Sequence, residues 1–348
     1  MNVTAIQVMA IASGLALVAT HDAPRQASPP VTSDGLIVFS SNRDGAFRMY
    51  SCKEDGSDVQ LATNGKDADA YPAWSPSGDR IAFVSGKTLT LLDWKTKTRQ
   101  SLGVEVDPEM CLLSWSPEGD RILCNSDNEL VIVEVATKKT SKAVDPKVMK
   151  ECCTGTWMPD GKSLLVSSGN CAPTLRTLAT NGTVADFLTT TPMFTFVPQL
   201  GGAWSAATPH QCAFTTLNLA DLKTDDAMKK RLLDAKSGDD VTQSDLEDFD
   251  MGDVYVTAED GRGPTKVFST PGLDWAWGWS PDGQALLVTS AYMIPEEGTS
   301  PAAGANKHAD ADLFIVWVGT DRKINLTKDA ALERGASWRP LVTAPPKH

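Results

Sequence analysis

Six stretches of the sequence are variants of one phrase: AWSPSGDRIAFVS at 73–85, SWSPEGDRILCNS at 114–126, TWMPDGKSLLVSS at 156–168, AWSAATPHQCAFTT at 203–216, GWSPDGQALLVTS at 278–290, and a truncated SWRP at 337–340. Their tryptophans, Trp74, Trp115, Trp157, Trp204, Trp279 and Trp338, are spaced 41, 42, 47, 75 and 59 residues apart. The first two spacings suit one four-stranded propeller blade, and the last two suit blades carrying insertions. Each part of the phrase has a mechanical role. Tryptophan supplies apolar area for packing one sheet on the next. Ser-Pro followed by an acid or Ser and then Gly makes a tight turn, with Pro setting φ and Gly taking a conformation other residues resist. The run after the turn, such as Ile81-Ala82-Phe83-Val84, reads as a short buried strand.

Counting strands closes a ring. The last tryptophan has room for a single strand before the chain ends, while the segments Leu36–Ser41, Phe47–Lys53 and Val59–Thr63 form three strands with no tryptophan strand of their own. One C-terminal strand and three N-terminal strands complete a blade, which removes open sheet edges. The expected fold is therefore all-β: a six-bladed propeller of four-stranded blades over 35–342, with insertions at 221–252 and 291–311 and a tail at 343–348.

The W-S-P-D/E-G-K/R hairpin, followed by I/L-A/L-F/V-x-S, resembles the repeats of TolB-like six-bladed propellers. It is also similar to propeller domains attached to prolyl-oligopeptidase-type serine hydrolases. The resemblance covers about residues 34–342. It implies fold and repeat type, and not the partner of TolB. TolB itself carries an additional N-terminal α/β domain, and with about fifteen linker residues at 20–34 that domain is expected to be missing here.

Around this core the sequence narrows the function. The chain has 32 Lys and Arg against 44 Asp and Glu, a formal net charge of −12. Such a balance excludes a phosphate-binding nucleic-acid surface and supplies no polybasic membrane patch. Residues 1–19 are uncharged, with an apolar run from Ala5 to Ala19, too short to span a bilayer and suited to a secretory signal. A periplasmic or secreted monomer without membrane insertion is expected. Of seven cysteines, Cys152 or Cys153 with Cys171 is the best placed pair for a disulfide, and two buried thiols are the alternative.

Within a blade of strands a to d, the loop entering strand a and the b–c loop share a face. Both insertions are b–c loops of adjacent blades, so their extra length leaves from one face. The segment 221–253 holds eleven acids and five bases, half of the net charge. On the same face, five or six residues before each tryptophan, stand Asp69, Glu109, Glu151, Gln199, Asp274 and Glu333. These five acids could ring the channel mouth and attract cations, or each could bond its own loop.

Catalytic machinery is thin. No Gly-x-Ser-x-Gly elbow occurs, and no attached hydrolase domain is expected after Trp338. The metal-like cluster His308, Asp310 and Asp312 alternates along one side of an incipient strand. The function expected is a non-catalytic platform for a protein, peptide or glycan, with no cofactor. Met193, Phe194, Phe196, Trp275 or Trp277 would serve as apolar anchors or as blade packing. The alternative is a metal-assisted hydrolase or lyase whose channel-mouth carboxylates hold a divalent ion.

Overall fold

The computed structural model describes residues 35–107, 112–127, 129–145, 147, 152–168, 174–179, 182–187, 193–194, 204–218, 252–270, 273–291, 311–329 and 331–341. Among these residues, 24 strands form six four-stranded antiparallel sheets, one per tryptophan.

The closing blade joins β1 (Ile37–Ser41), β2 (Arg48–Cys52) and β3 (Gln60–Leu61) to the last strand, β24 (Glu333–Trp338), in the order β24-β1-β2-β3. The Trp74 blade is β4 (Asp69–Trp74), β5 (Arg80–Ser85), β6 (Thr88–Asp93) and β7 (Arg99–Glu105). The Trp115 blade is β8 (Ser114–Trp115), β9 (Arg121–Ser126), β10 (Glu129–Glu134) and β11 (Thr140–Lys142). The Trp157 blade is β12 (Cys152–Trp157), β13 (Ser163–Ser168), β14 (Thr174–Ala179) and β15 (Val184–Asp186). The Trp204 blade is β16 (Met193–Phe194), β17 (Gln211–Asn218), β18 (Asp253–Ala258) and β19 (Thr265–Phe268). The Trp279 blade is β20 (Leu273–Trp279), β21 (Ala285–Ala291), β22 (Ala311–Trp317) and β23 (Lys323–Asn325). The strand expected around Trp204 is instead interrupted: Met193 and Phe194 pair with β17, and Trp204 itself makes one isolated bridge to Cys212.

The hairpin turn shows why the phrase reads as it does. The motif serine pairs with the residue five positions on, its N–H donating to that carbonyl (Ser75 to Arg80, 2.8 Å; Ser280 to Ala285, 2.8 Å) while its Oγ accepts that residue's N–H (3.1 and 2.9 Å). The glycine at the bend is left-handed, at φ 66° for Gly78 and 70° for Gly283, a conformation that costs other residues roughly 1–2 kcal/mol. In the divergent AWSAATPH turn the same serine bonds survive one residue further along, Ser205 to Gln211, at 2.9 Å in both directions.

The tryptophans fill the seams between blades. Trp74 packs with Val38 and Met49 of the closing blade, Trp157 with Leu123 of the blade before it, and Trp279 with Val254. Each large side chain withdrawn this way contributes about 1.5–3 kcal/mol. The arginine that follows the turn adds a second link across the seam: the Arg80 guanidinium lies 5.7 Å from the centre of the Trp115 ring, and that of Arg121 lies 4.4 Å from the centre of the Trp157 ring.

The innermost strands β24, β4, β8 and β12 follow one another around the ring, each touching the next. Four blades carry a register shift beside the inner strand, at Phe39/Ser41, Ala70/Ala73, Cys152/Thr154 and Ala276/Gly278. Such bulges sharpen the local twist. The shift in β4 holds Tyr71 at φ 55°, with its ring 6.3 Å from that of Trp277 in the Trp279 blade.

Candidate functional site

The three described acids of the expected ring, Asp69, Asp274 and Glu333, stand at or beside the start of inner strands and are buried, at 0%, 0% and 2% exposure. Each is paired in register with a serine on the neighbouring strand of its own blade: Asp69 with Ser85, Asp274 with Ser290, Glu333 with Ser41. Arg99 grips Asp69 with two bonds, Nη1 to Oδ2 at 3.0 Å and Nη2 to Oδ1 at 2.8 Å, and also donates to Ser85 Oγ at 2.6 Å. Gly65 makes room for that arginine, since a Cβ there would lie 2.4 Å from Arg99 Nη1. Asp274 accepts the Thr270 N–H at 2.7 Å and the Thr270 hydroxyl at 2.8 Å. Glu333 accepts from Ser41 Oγ at 3.0 Å and from Arg43 at 3.3 Å.

Burial disfavours the ionised forms. It pushes Asp274 up to about 6, against bonds from Ser290 and Thr270 that pull the other way. It pushes Glu333 up to about 7, opposed by Ser41 and Arg43 and assisted by the negative charge of Asp329. These carboxylates present little free charge to a ligand, because their oxygens are taken up by neighbouring hydroxyls and, for Glu333, by Arg43.

The serines close a second set of bonds between blades. Ser40, one residue before Ser41, donates to the Asp69 carbonyl of the next blade at 2.7 Å, and Thr215 donates to the Asp274 carbonyl at 2.9 Å. In β1 the two adjacent hydroxyls thus have two jobs: Ser41 holds the acid of its own blade, Glu333, and Ser40 holds the backbone of the next. The signal was present in the repeat as its closing serine, but the sequence reading gave that residue no role. It also missed Arg99, Arg43 and Thr270, which lie outside the repeat.

Glu109, Glu151, Gln199, His308, Asp310, Phe196, Cys111 and Cys171 lie outside the described residues, and so does the expected disulfide. Asp312 accepts from Asn325 Nδ2 at 2.6 Å, with Thr327 Oγ1 at 3.4 Å. Among the described residues, no three His, Cys, Asp or Glu side chains are arranged to hold a metal ion. Trp275 is half-buried, and Trp277 is buried with its Nε1 donating to Thr289 Oγ1 at 2.6 Å. His210 serves its own turn, Nδ1 lying 2.8 Å from the Ser205 carbonyl. Burial pushes the thiols of Cys52 and Cys124 up to about 12, leaving them as small buried hydrophobes.

A closed ring of four-stranded blades, stitched by its first and last strands, defines a six-bladed β-propeller. No family model matches the chain. An uncharacterised protein of Agrobacterium fabrum is 38% identical over 78 residues, covering 22% of this chain and 27% of that protein. A TolB homologue of Chlorobium luteolum is 37% identical over 79 residues, covering 21% and 18%. The matches thus span about a quarter or less of the length of these curated relatives. Among solved structures, TolB from Acinetobacter baumannii superposes with a TM-score of 0.63 at 16% identity, covering 88% of this chain and 67% of that one. Repeat and fold together make the chain a TolB-like six-bladed propeller.

Proposed function

We propose that the chain is an exported, non-catalytic platform that binds a protein or peptide partner on the face from which the longest b–c connections leave. The observation that carries this reading is a contrast in connection length. Strands β5 and β6 are separated by two residues, as are β9 and β10. The same connection runs from Asn218 to Asp253 in the Trp204 blade and from Ala291 to Ala311 in the Trp279 blade. Long connections confined to one face of two adjacent blades suit recognition better than folding, since the four-stranded sheets form without them. The fold supports the same reading, because propellers of the TolB type offer a rigid ring on which such loops can be displayed. Export rests on the uncharged first nineteen residues.

The test compares the mature chain, about residues 20–348, with a variant in which 221–252 is replaced by a short Gly-Ser linker. Both are used as bait in a periplasmic extract, and both are melted. The reading expects equal melting temperatures and a partner that is retained by the full chain alone. Equal capture by both baits would refute the assignment of the binding face.

A further inference from the structure

The ring closes where the two ends of the domain meet, and one buried carboxylate stands across that junction. Glu333 opens β24, and its side chain is fully withdrawn from solvent, at 0%. Its Oε1 takes bonds from the N-terminal side of the seam, from Ser41 Oγ at 3.0 Å and Arg43 Nη2 at 3.3 Å. Its Oε2 lies 3.4 Å from Thr327 Oγ1. That same hydroxyl oxygen accepts the Leu313 N–H at 2.9 Å and lies 3.4 Å from Asp312 Oδ1.

A hydroxyl has one proton to give, so Thr327 cannot serve both carboxylates. With a proton on Oε2, Glu333 donates to Thr327, Thr327 donates to Asp312, and the chain of bonds is complete. With both acids ionised, one carboxylate oxygen facing Thr327 loses its donor, and Glu333 is withdrawn from solvent at 0% side-chain exposure. The charges point the same way. Among the described residues, the charged groups facing Glu333 are Arg43 from the β1–β2 turn, Asp329 from the loop before β24 and, through Thr327, Asp312 from β22. Arg43 is shared, lying 3.2 Å from Asp329 and 3.3 Å from Glu333. One guanidinium therefore faces two carboxylates unless one of them is protonated.

We propose that the Glu333–Thr327–Asp312 relay, tied to Arg43, is a proton-operated clasp on the ring closure. Proton binding completes the hydrogen bonds and tightens β24 against β1, and proton loss loosens that seam. Burial raises Glu333 to about 7. The stabilisation is therefore full below the ordinary glutamate value and is lost as pH rises through about 7. Asp274, pushed up to about 6, titrates in a different blade and is read separately.

The experiment is hydrogen exchange of the full chain between about pH 5 and 7.5, corrected for intrinsic exchange, followed in peptides covering 36–41 and 333–338. The expected result is a fall in seam protection of up to about a hundredfold between pH 5 and 7, levelling above that range. Glu333→Gln, which gives Thr327 a permanent N–H donor, should flatten the seam profile while peptides covering 273–279 keep theirs. A wild-type seam with no pH dependence, or a Glu333→Gln seam with the wild-type slope, would overturn the proposal. Thr327→Val provides an independent check should Glu333→Gln fail to fold: the protonated form loses its acceptor, so the midpoint at the seam should move down while burial still holds it above an ordinary glutamate, and an unmoved midpoint would overturn the proposal as well.

Discussion

Gly335→Ala is the sharpest probe of how the closing strand is seated. Gly335 is the third residue of β24 and lies at φ 81°, in the left-handed region. A Cβ there would stand 2.8 Å from Tyr71 Cα, 3.3 Å from Tyr71 N and 3.2 Å from Pro72 Cδ, all in the inner strand of the neighbouring blade. These atoms cannot swing aside, since two are backbone and Tyr71 is itself fixed at the β4 bulge with its ring near Trp277. The left-handed alanine costs about 1–2 kcal/mol. Overpacking against a rigid neighbour adds about 1–3 kcal/mol. The expected loss is thus about 2–5 kcal/mol, or about 4–10 °C in Tm at roughly 2 °C per kcal/mol for a domain of this size. Gly319→Ala is the matched control: φ is 72°, but nothing lies within 4 Å of its Cβ, so only the conformational cost of about 1–2 kcal/mol applies. Equilibrium urea unfolding of the two variants isolates the contact between blades. Losses equal to within about 0.5 kcal/mol would refute the close approach of β24 to β4.

Two further outcomes follow from the buried polar groups. Asp69→Ala should cost about 2–4 kcal/mol in urea unfolding, below the full value for a buried pair because the Arg99 side chain is 29% exposed. Asp69→Asn should cost less, since an amide oxygen still accepts from Arg99, and an Asp69→Ala variant as stable as wild type would remove the pair from the list of stabilising contacts. The thiols of Cys52, Cys124 and Cys212 are buried and raised by that burial. In the native protein at pH 8 they should resist a thiol-labelling reagent until denaturant is added, as read by peptide mapping. Rapid native labelling of any of the three would contradict the packing of β2, β9 or β17.

The repeat was legible because blades are built by local chemistry. The Ser-Pro-x-Gly turn satisfies its own hydrogen bonds within six residues, as Ser75 and Arg80 show, so a turn read from sequence is close to a turn formed. The tryptophan spacing likewise reports strand count, and the closing of the ring by one C-terminal and three N-terminal strands follows by arithmetic. The Trp204 blade was harder. Its inner strand comprises Met193 and Phe194 plus a lone bridge at Trp204, because pairing there is set by β17, which is distant from Met193 in sequence. No pattern in a local window contains that information.

The acidic positions show the same division. Their recurrence before five of the six tryptophans was plain. Sequence alone determined that the chain repeats, how many blades it makes, how they close, and where the long connections leave. Only the tertiary structure decided that Asp69 turns to Arg99, Asp274 to Thr270, and Glu333 to Ser41, Arg43 and Thr327. The reason is physical: a turn or a strand is specified by neighbours a few residues away, whereas the direction of a carboxylate depends on partners such as Arg99 and Arg43, which lie 30 and 290 residues distant along the chain.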